Sequence, residues 1–146
     1  MQWSDMKNVL ITGANRGLGL ALAHEFDKHD YCLYLVVRSN AAKSELATIF
    51  PKAKFLICDV TSDTYEQKLN EWLKLVTIDL VINNAGSGTK APTLELTRPE
   101  YLRKEFETNC IAVLSTVKGC LDSLQRSEEA LIINISSRRG SHHDAV

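Results

Sequence analysis

Asn8-Val9-Leu10-Ile11-Thr12 runs directly into Gly13-Ala14-Asn15-Arg16-Gly17-Leu18-Gly19, and this junction decides the fold. The first five residues are a short, β-rich apolar run that stops at a glycine, as a strand buried on both faces should. Leu18, Ala21, Leu22 and Phe26 then recur at helical spacing through Asp27. Three glycines, spaced G-x-x-x-G-x-G, therefore lie between a strand and a helix. Glycine there permits unusual backbone angles and close approach of a ligand. The helix N-terminus adds free N–H groups and a positive dipole end, which suit a pyrophosphate. A ligand-free tight turn also uses glycine, but the strand-to-helix position favours binding.

Outward from this junction the chain alternates. Tyr31 to Val37 predicts the second strand, Ala41 to Ile49 a helix ending before Pro51, and Lys54 to Cys58 the third strand. Tyr65, Leu69, Trp72 and Leu73 form a helical stripe. Asp79 to Asn83 is the fourth strand, running into Asn84-Ala85-Gly86-Ser87-Gly88. Leu102, Phe106, Asn109, Val113, Val117, Cys120 and Leu124 mark one face of a long helix beginning near Pro99, and Ala130 to Ile135 is the fifth strand. Five strands separated by four helices predict an α/β fold, a doubly wound parallel sheet of order 3-2-1-4-5 truncated after the fifth strand. Residues 1–146 read as a single incomplete domain.

Composition agrees. At 146 residues, 45% apolar and 24% charged, the chain matches one globular domain and excludes fibrous and disordered classes. Seventeen Lys and Arg against eighteen Asp and Glu leave a net charge of −1, too little to recruit nucleic acid or an anionic membrane through a general field. No stretch approaches the roughly 18 apolar residues of a membrane helix, and Met1 to Lys7 lacks the pattern of a signal peptide, so the expected location is cytoplasmic. Cys32, Cys58, Cys110 and Cys120 contain no C-x-x-C pair and read as buried reduced thiols. His142-His143-Asp144 lacks other spaced ligands and reads as a solvated tail, so no metal is expected.

Three further polar clusters stand out. Asn83-Asn84-Ala85-Gly86 lies at the carboxyl end of strand four, beside the point where the strand order reverses, where open α/β sheets bind ligands. Asn109 falls on the apolar stripe between Phe106 and Val113, so its amide must be hydrogen-bonded. Ser136-Ser137 closes strand five on the same sheet edge as the glycine turn.

In order and spacing, T-G-x-x-x-G-x-G at Thr12 to Gly19, N-N-A-G at Asn83 to Gly86, the helix Asn109 and I-N-I-S-S at Ile133 to Ser137 resemble the short-chain dehydrogenase/reductase family. Asn-Arg-Gly-Leu-Gly-Leu within the first motif looks most like its carbonyl-reductase and C-factor or sniffer-like branch. The resemblance implies a Rossmann-like domain with a nicotinamide cofactor. Its pyrophosphate would lie over Gly13, Asn15, Arg16, Gly17, Leu18 and Gly19; Asp59 and Val60 would meet the adenine, and Asn83, Ala85 and Gly86 would line the adenosine ribose. The partner it implies is a small-molecule carbonyl or alcohol, and a homo-oligomer of the complete form is compatible with it. Ser137 would polarise the substrate carbonyl, and Asn109 would bind a relay water.

Cofactor choice has a physical basis. An NAD site of this architecture places a carboxylate at the end of strand two to accept from the ribose 2′-OH, whereas a 2′-phosphate requires Arg. Strand two ends Val36-Val37-Arg38, with no acid until Glu45, and Arg16 sits in the glycine turn. The expectation is NADP rather than NAD, with Arg38 as the phosphate ligand. Arg138 and Arg139 read as a solvated pair. One departure from the family is evident. Its Tyr-x-x-x-Lys pair belongs a little over a dozen residues beyond Ser137, and the residues four positions after Tyr31, Tyr34, Tyr65 and Tyr101 are Leu35, Arg38, Leu69 and Glu105. The chain alone is therefore expected to be inactive as a reductase. The first reading is the cofactor-binding part of a carbonyl-reducing oxidoreductase; the alternative is a catalytically inactive nucleotide-binding or regulatory module.

Overall fold

A computed structural model describes residues 6–88 and 93–137; the readings of Arg138, Arg139 and the His142-His143-Asp144 tail lie outside them. The strands are β1 (Asn8–Thr12), β2 (Cys32–Val37), β3 (Lys54–Ile57), β4 (Leu80–Asn83) and β5 (Leu131–Asn134). They form one sheet of order β3-β2-β1-β4-β5, and every pair is parallel. The helices are α1 (Gly17–Lys28), α2 (Asn40–Ile49), α3 (Tyr65–Trp72), α4 (Pro99–Phe106) and α5 (Ala112–Gln125). The predicted doubly wound sheet is thus observed. Boundaries move by a residue or so, as where β3 stops at Ile57 rather than Cys58.

Alternation within β1 shows why both sheet faces are covered. Val9 and Ile11 join Leu33, Leu35 and Val37 under Ala23 from α1, Leu46 from α2 and Phe50, which follows α2. Leu10 points the other way, with Val36 and Val81, and packs beneath Tyr65, Leu69, Cys120 and Leu124. Successive strand residues feed opposite cores, so the centre of the sheet can carry only apolar side chains. Ser39 caps α2, its side chain accepting from the Ala42 N–H at 3.2 Å, and Pro99 opens α4 where its missing N–H is harmless.

Between α3 and α5 a buried polar contact is complete. Tyr65 is fully buried, its hydroxyl lies 3.0 Å from Thr116 Oγ1, and Thr116 in turn donates to the Ala112 carbonyl at 2.8 Å. Burial pushes the Tyr65 hydroxyl well above the ordinary phenol range, so it stays protonated and donates. Burial also pushes the Cys120 thiol up to about 12.

Two sequence expectations need correction here. The long helix is not uniform: a π-helical turn at Glu107–Ile111 separates α4 from α5. Its extra residue shifts the phase of the helix by about one position. The buried face becomes Ala112, Thr116, Gly119, Cys120, Ser123 and Leu124, while Leu102 and Phe106 are 59% and 58% exposed. Among the cysteines, which are all free, only Cys58 and Cys120 are buried; Cys32 is half-buried, and Cys110, on the π turn, is exposed.

Candidate dinucleotide site

Because all five strands are parallel, their carboxyl ends share one edge, and the polar clusters gather there. The chain passes from β1 through Gly13, at φ 70°, into α1. A Cβ on Gly13 would stand 2.9 Å from the Ala85 Cα, so the turn lies directly against the backbone leaving β4. Gly19, in the first turn of α1, faces Gly13 and Asn84 so closely that any side chain would collide with the Asn84 amide and the Gly13 carbonyl. The missing side chains are what bring turn and helix together.

Thr12 and Asn84 hold the two strand ends in place. The Thr12 hydroxyl accepts from the N–H groups of Asn84 and Ala85 at 3.1 and 3.0 Å. The Asn84 side-chain amide donates back to the Thr12 and Gly13 carbonyls at 3.0 and 3.1 Å. Parallel strands β1 and β4 thus remain joined just beyond their last ladder bonds, where a crevice would otherwise leave those groups unpaired.

The cleft at this edge has a volume of ≈ 620 Å³. The glycine turn supplies Gly13, Asn15, Arg16, Gly17, Leu18 and Gly19; the ends of β2 and β3 supply Arg38, Asp59 and Val60; and the β4 exit supplies Ala85 and Gly86. These eleven of the twelve expected cofactor residues therefore face one cavity. Asn83 is the exception and is a correction. The β4–β5 register pairs it with Asn134, to whose Oδ1 its Nδ2 donates at 2.8 Å, so it is buried in the sheet and Asn84 lines the cleft instead. Sequence reasoning also passed over Thr61, Ser87, Lys104, Glu107 and Thr108, which line the same cavity. Spacing i, i+3, i+4 puts the last three on one helical face, but nothing in the sequence says that this face meets the cleft.

Asp59 illustrates the local electrostatics. Its Oδ1 accepts from the Thr61 N–H at 2.9 Å and the Thr61 hydroxyl at 2.8 Å. The backbone bond above all, then the hydroxyl and the nearby charges of Arg38 and Lys104, hold its carboxyl below the usual carboxylate range. A lowered folded-state pKa means that its contribution to the turn is present above the ordinary carboxylate range and is lost as pH falls through the lowered value.

Asn109 lies on the π turn and is exposed rather than buried, a second consequence of the phase shift. It is hydrogen-bonded, as expected. Its Oδ1 accepts from the Ser87 N–H at 2.9 Å and its Nδ2 donates to the Ser87 carbonyl at 2.8 Å, so the side chain clamps the β4 exit loop as a neighbouring strand would. Ser137 follows β5 on the same sheet edge but does not line the cleft. The structure thus places eleven of the expected cofactor residues around one cavity, with Asn109 fixed to its border and Ser137 one strand away.

Comparison with known proteins fits this geometry. Residues 7–146 match the family described as short chain dehydrogenase. The chain belongs to that family. It is similar to a 3-ketodihydrosphingosine reductase of Bacteroides thetaiotaomicron, 30% identical over 137 residues, which cover 90% of this chain and 47% of that protein. It is also similar to a sorbitol dehydrogenase of Cereibacter sphaeroides, 30% identical over 97% of this chain and 57% of the relative. Among solved structures, an alcohol dehydrogenase of the archaeon Thermococcus sibiricus complexed with 5-hydroxy-NADP superposes with a TM-score of 0.84 at 29% identity, covering 94% of this chain and 61% of that one. The family member thus spans about half the length of the relatives it matches. Its relatives act on varied substrates, and among the described residues no helix is long and apolar enough to cross a membrane.

One atom in this site lacks a partner among the described residues: the Ser87 hydroxyl, buried beside the Asn109 clamp. A buried hydroxyl without a hydrogen bond costs about 1–3 kcal/mol. Ser87→Ala is therefore expected to stabilise the ligand-free protein by about 1 kcal/mol in a urea melt. An unchanged or lower midpoint would show that the hydroxyl contributes a bond.

Proposed function

We propose that this chain is the cofactor-binding part of an NADP-dependent short-chain oxidoreductase that reduces carbonyls to alcohols. Within the family, its first motif favours the carbonyl-reductase and C-factor or sniffer-like branch. The observation that carries the reading is the charge at the adenosine end of the cleft. Arg38 stands where an NAD site of this architecture needs a carboxylate, and Arg16 lines the same cavity. The acid nearby, Asp59, is already engaged by Thr61.

The residues fit a dinucleotide. Gly13 and Gly19 let the turn close against Ala85 and Asn84, while Gly17, at φ 55° with nothing within 4 Å of where its Cβ would stand, leaves open the part of the cavity at which α1 begins, and a helix N-terminus suits a pyrophosphate. Gly13 to Gly19 would hold the pyrophosphate, Arg38 and Arg16 the 2′-phosphate, Asp59 and Val60 the adenine, and Ala85 and Gly86 the adenosine ribose. Bound NADPH supplies a hydride. Asn109 acts in this reading as a positioning residue whose remaining N–H and lone pair are open to a relay water, and Ser137 polarises the substrate carbonyl. The activity and its small-molecule substrate belong to the whole protein.

Fluorescence titration of the purified protein with NADPH and NADH tests the reading. NADPH is expected to bind at least about tenfold more tightly, the effect of one charge-assisted phosphate contact. Equal affinities, or a preference for NADH, would overturn it.

A further inference from the structure

We propose that Lys104, on helix α4, is a second determinant of selectivity for a 2′-phosphorylated dinucleotide, acting across the cleft from Arg38. The inference rests on the NADP reading and goes beyond it by placing part of the discrimination on a helix outside the sheet edge. Lys104 lines the cavity together with Glu107 and Thr108, and Thr108 Oγ1 donates to the Lys104 carbonyl at 3.1 Å, fixing that turn of the helix. From this position the ammonium acts on Asp59, the residue that Arg38 also influences, so both cations bear on the adenosine end of the cleft. Lys104 forms no ion pair among the described residues. Glu107, three residues along, is the acid that lines the cleft from this helix.

The competing explanation is that a basic residue in the last turn of α4 merely complements the helix dipole. The structure argues against it. At residue 107 the backbone stays helical and continues through the π turn into α5, so α4 has no free C-terminal carbonyls for Lys104 to serve. Arg103 provides an internal control, because it occupies the same turn and does not line the cleft. A dianionic phosphate between Arg38 and Lys104 would meet cations from the sheet edge and from the helix. The same two cations offer nothing specific to a neutral 2′-hydroxyl.

The experiment compares the purified protein with its Lys104→Gln, Lys104→Arg and Arg103→Gln variants in binding titrations with NADPH and NADH at low and high salt. Lys104→Gln is expected to weaken NADPH about fivefold while leaving NADH within about twofold, with the difference shrinking at high salt. Lys104→Arg should retain the preference, and Arg103→Gln should change neither affinity. Equal losses for both cofactors, no loss, or the same loss in Arg103→Gln would overturn the role of Lys104 while the NADP reading stands on the unsubstituted protein's preference. If the unsubstituted protein itself prefers NADH, both fall.

Discussion

Replacing Arg38 with Asp should lower NADPH affinity by about two orders of magnitude while changing NADH binding severalfold at most. The guanidinium follows β2 at the cleft rim, and a carboxylate there would face a 2′-phosphate with like charge while offering an acceptor to a 2′-hydroxyl. Losing a charge-assisted contact and gaining a repulsion together amount to about 2–3 kcal/mol, which is the stated factor. Arg38 is exposed, so the substitution leaves the core intact and thermal melting should barely change. Binding titrations with both cofactors check this; parallel losses for NADPH and NADH would show that Arg38 does not read the phosphate.

Gly13→Val should lose both dinucleotide binding and about 3–5 kcal/mol of stability. Valine at φ 70° adopts a backbone region unfavourable for a branched side chain by about 1–2 kcal/mol. Its Cβ would also stand 2.9 Å from Ala85 Cα and 3.2 Å from Ala85 N, backbone atoms that cannot rotate away. Relief requires β1 and β4 to part at Thr12 and Asn84, which breaks up to four hydrogen bonds. Gly88→Ala is the matched control, since a Cβ there meets nothing within 4 Å although the residue lines the same cleft. Urea denaturation and NADPH titration of both variants decide the matter, and wild-type behaviour in Gly13→Val would refute the close-approach argument.

The strands were legible because their chemistry is local. A five-residue run such as Asn8–Thr12 can only be buried on both faces, and its bounds follow from the glycine after it. The glycine turn was equally plain, since its meaning depends on the elements on either side. Asn83 and Asn109 were misplaced for a different reason. Whether Asn83 or Asn84 faces the cleft depends on register with β5, fifty-one residues away, and the orientation of Asn109 depends on a π turn that no periodicity announces. Lys104 was invisible as a site residue because its neighbours across the cleft, Arg38 and Asp59, come from other parts of the chain.

The bond between Thr12 and Asn84 spans 72 residues, and it sets an order of assembly. β1 can pair with β2 as soon as residue 37 has emerged, and that edge of the sheet closes a short loop. Its other edge waits for β4, and only then can Thr12 find the two N–H groups it accepts from. Until that moment the glycine turn has no opposite wall, and the groups that shape the cleft are open to solvent. During synthesis the nascent chain therefore carries its pyrophosphate-type turn, unformed, for some fifty residues of elongation after β1 and β2 have joined. Binding competence would begin only when the fourth strand docks and would be complete when α4 closes the far wall, so nucleotide added to a translating ribosome complex should protect chains that have passed residue 108 and leave those shorter than residue 85 untouched.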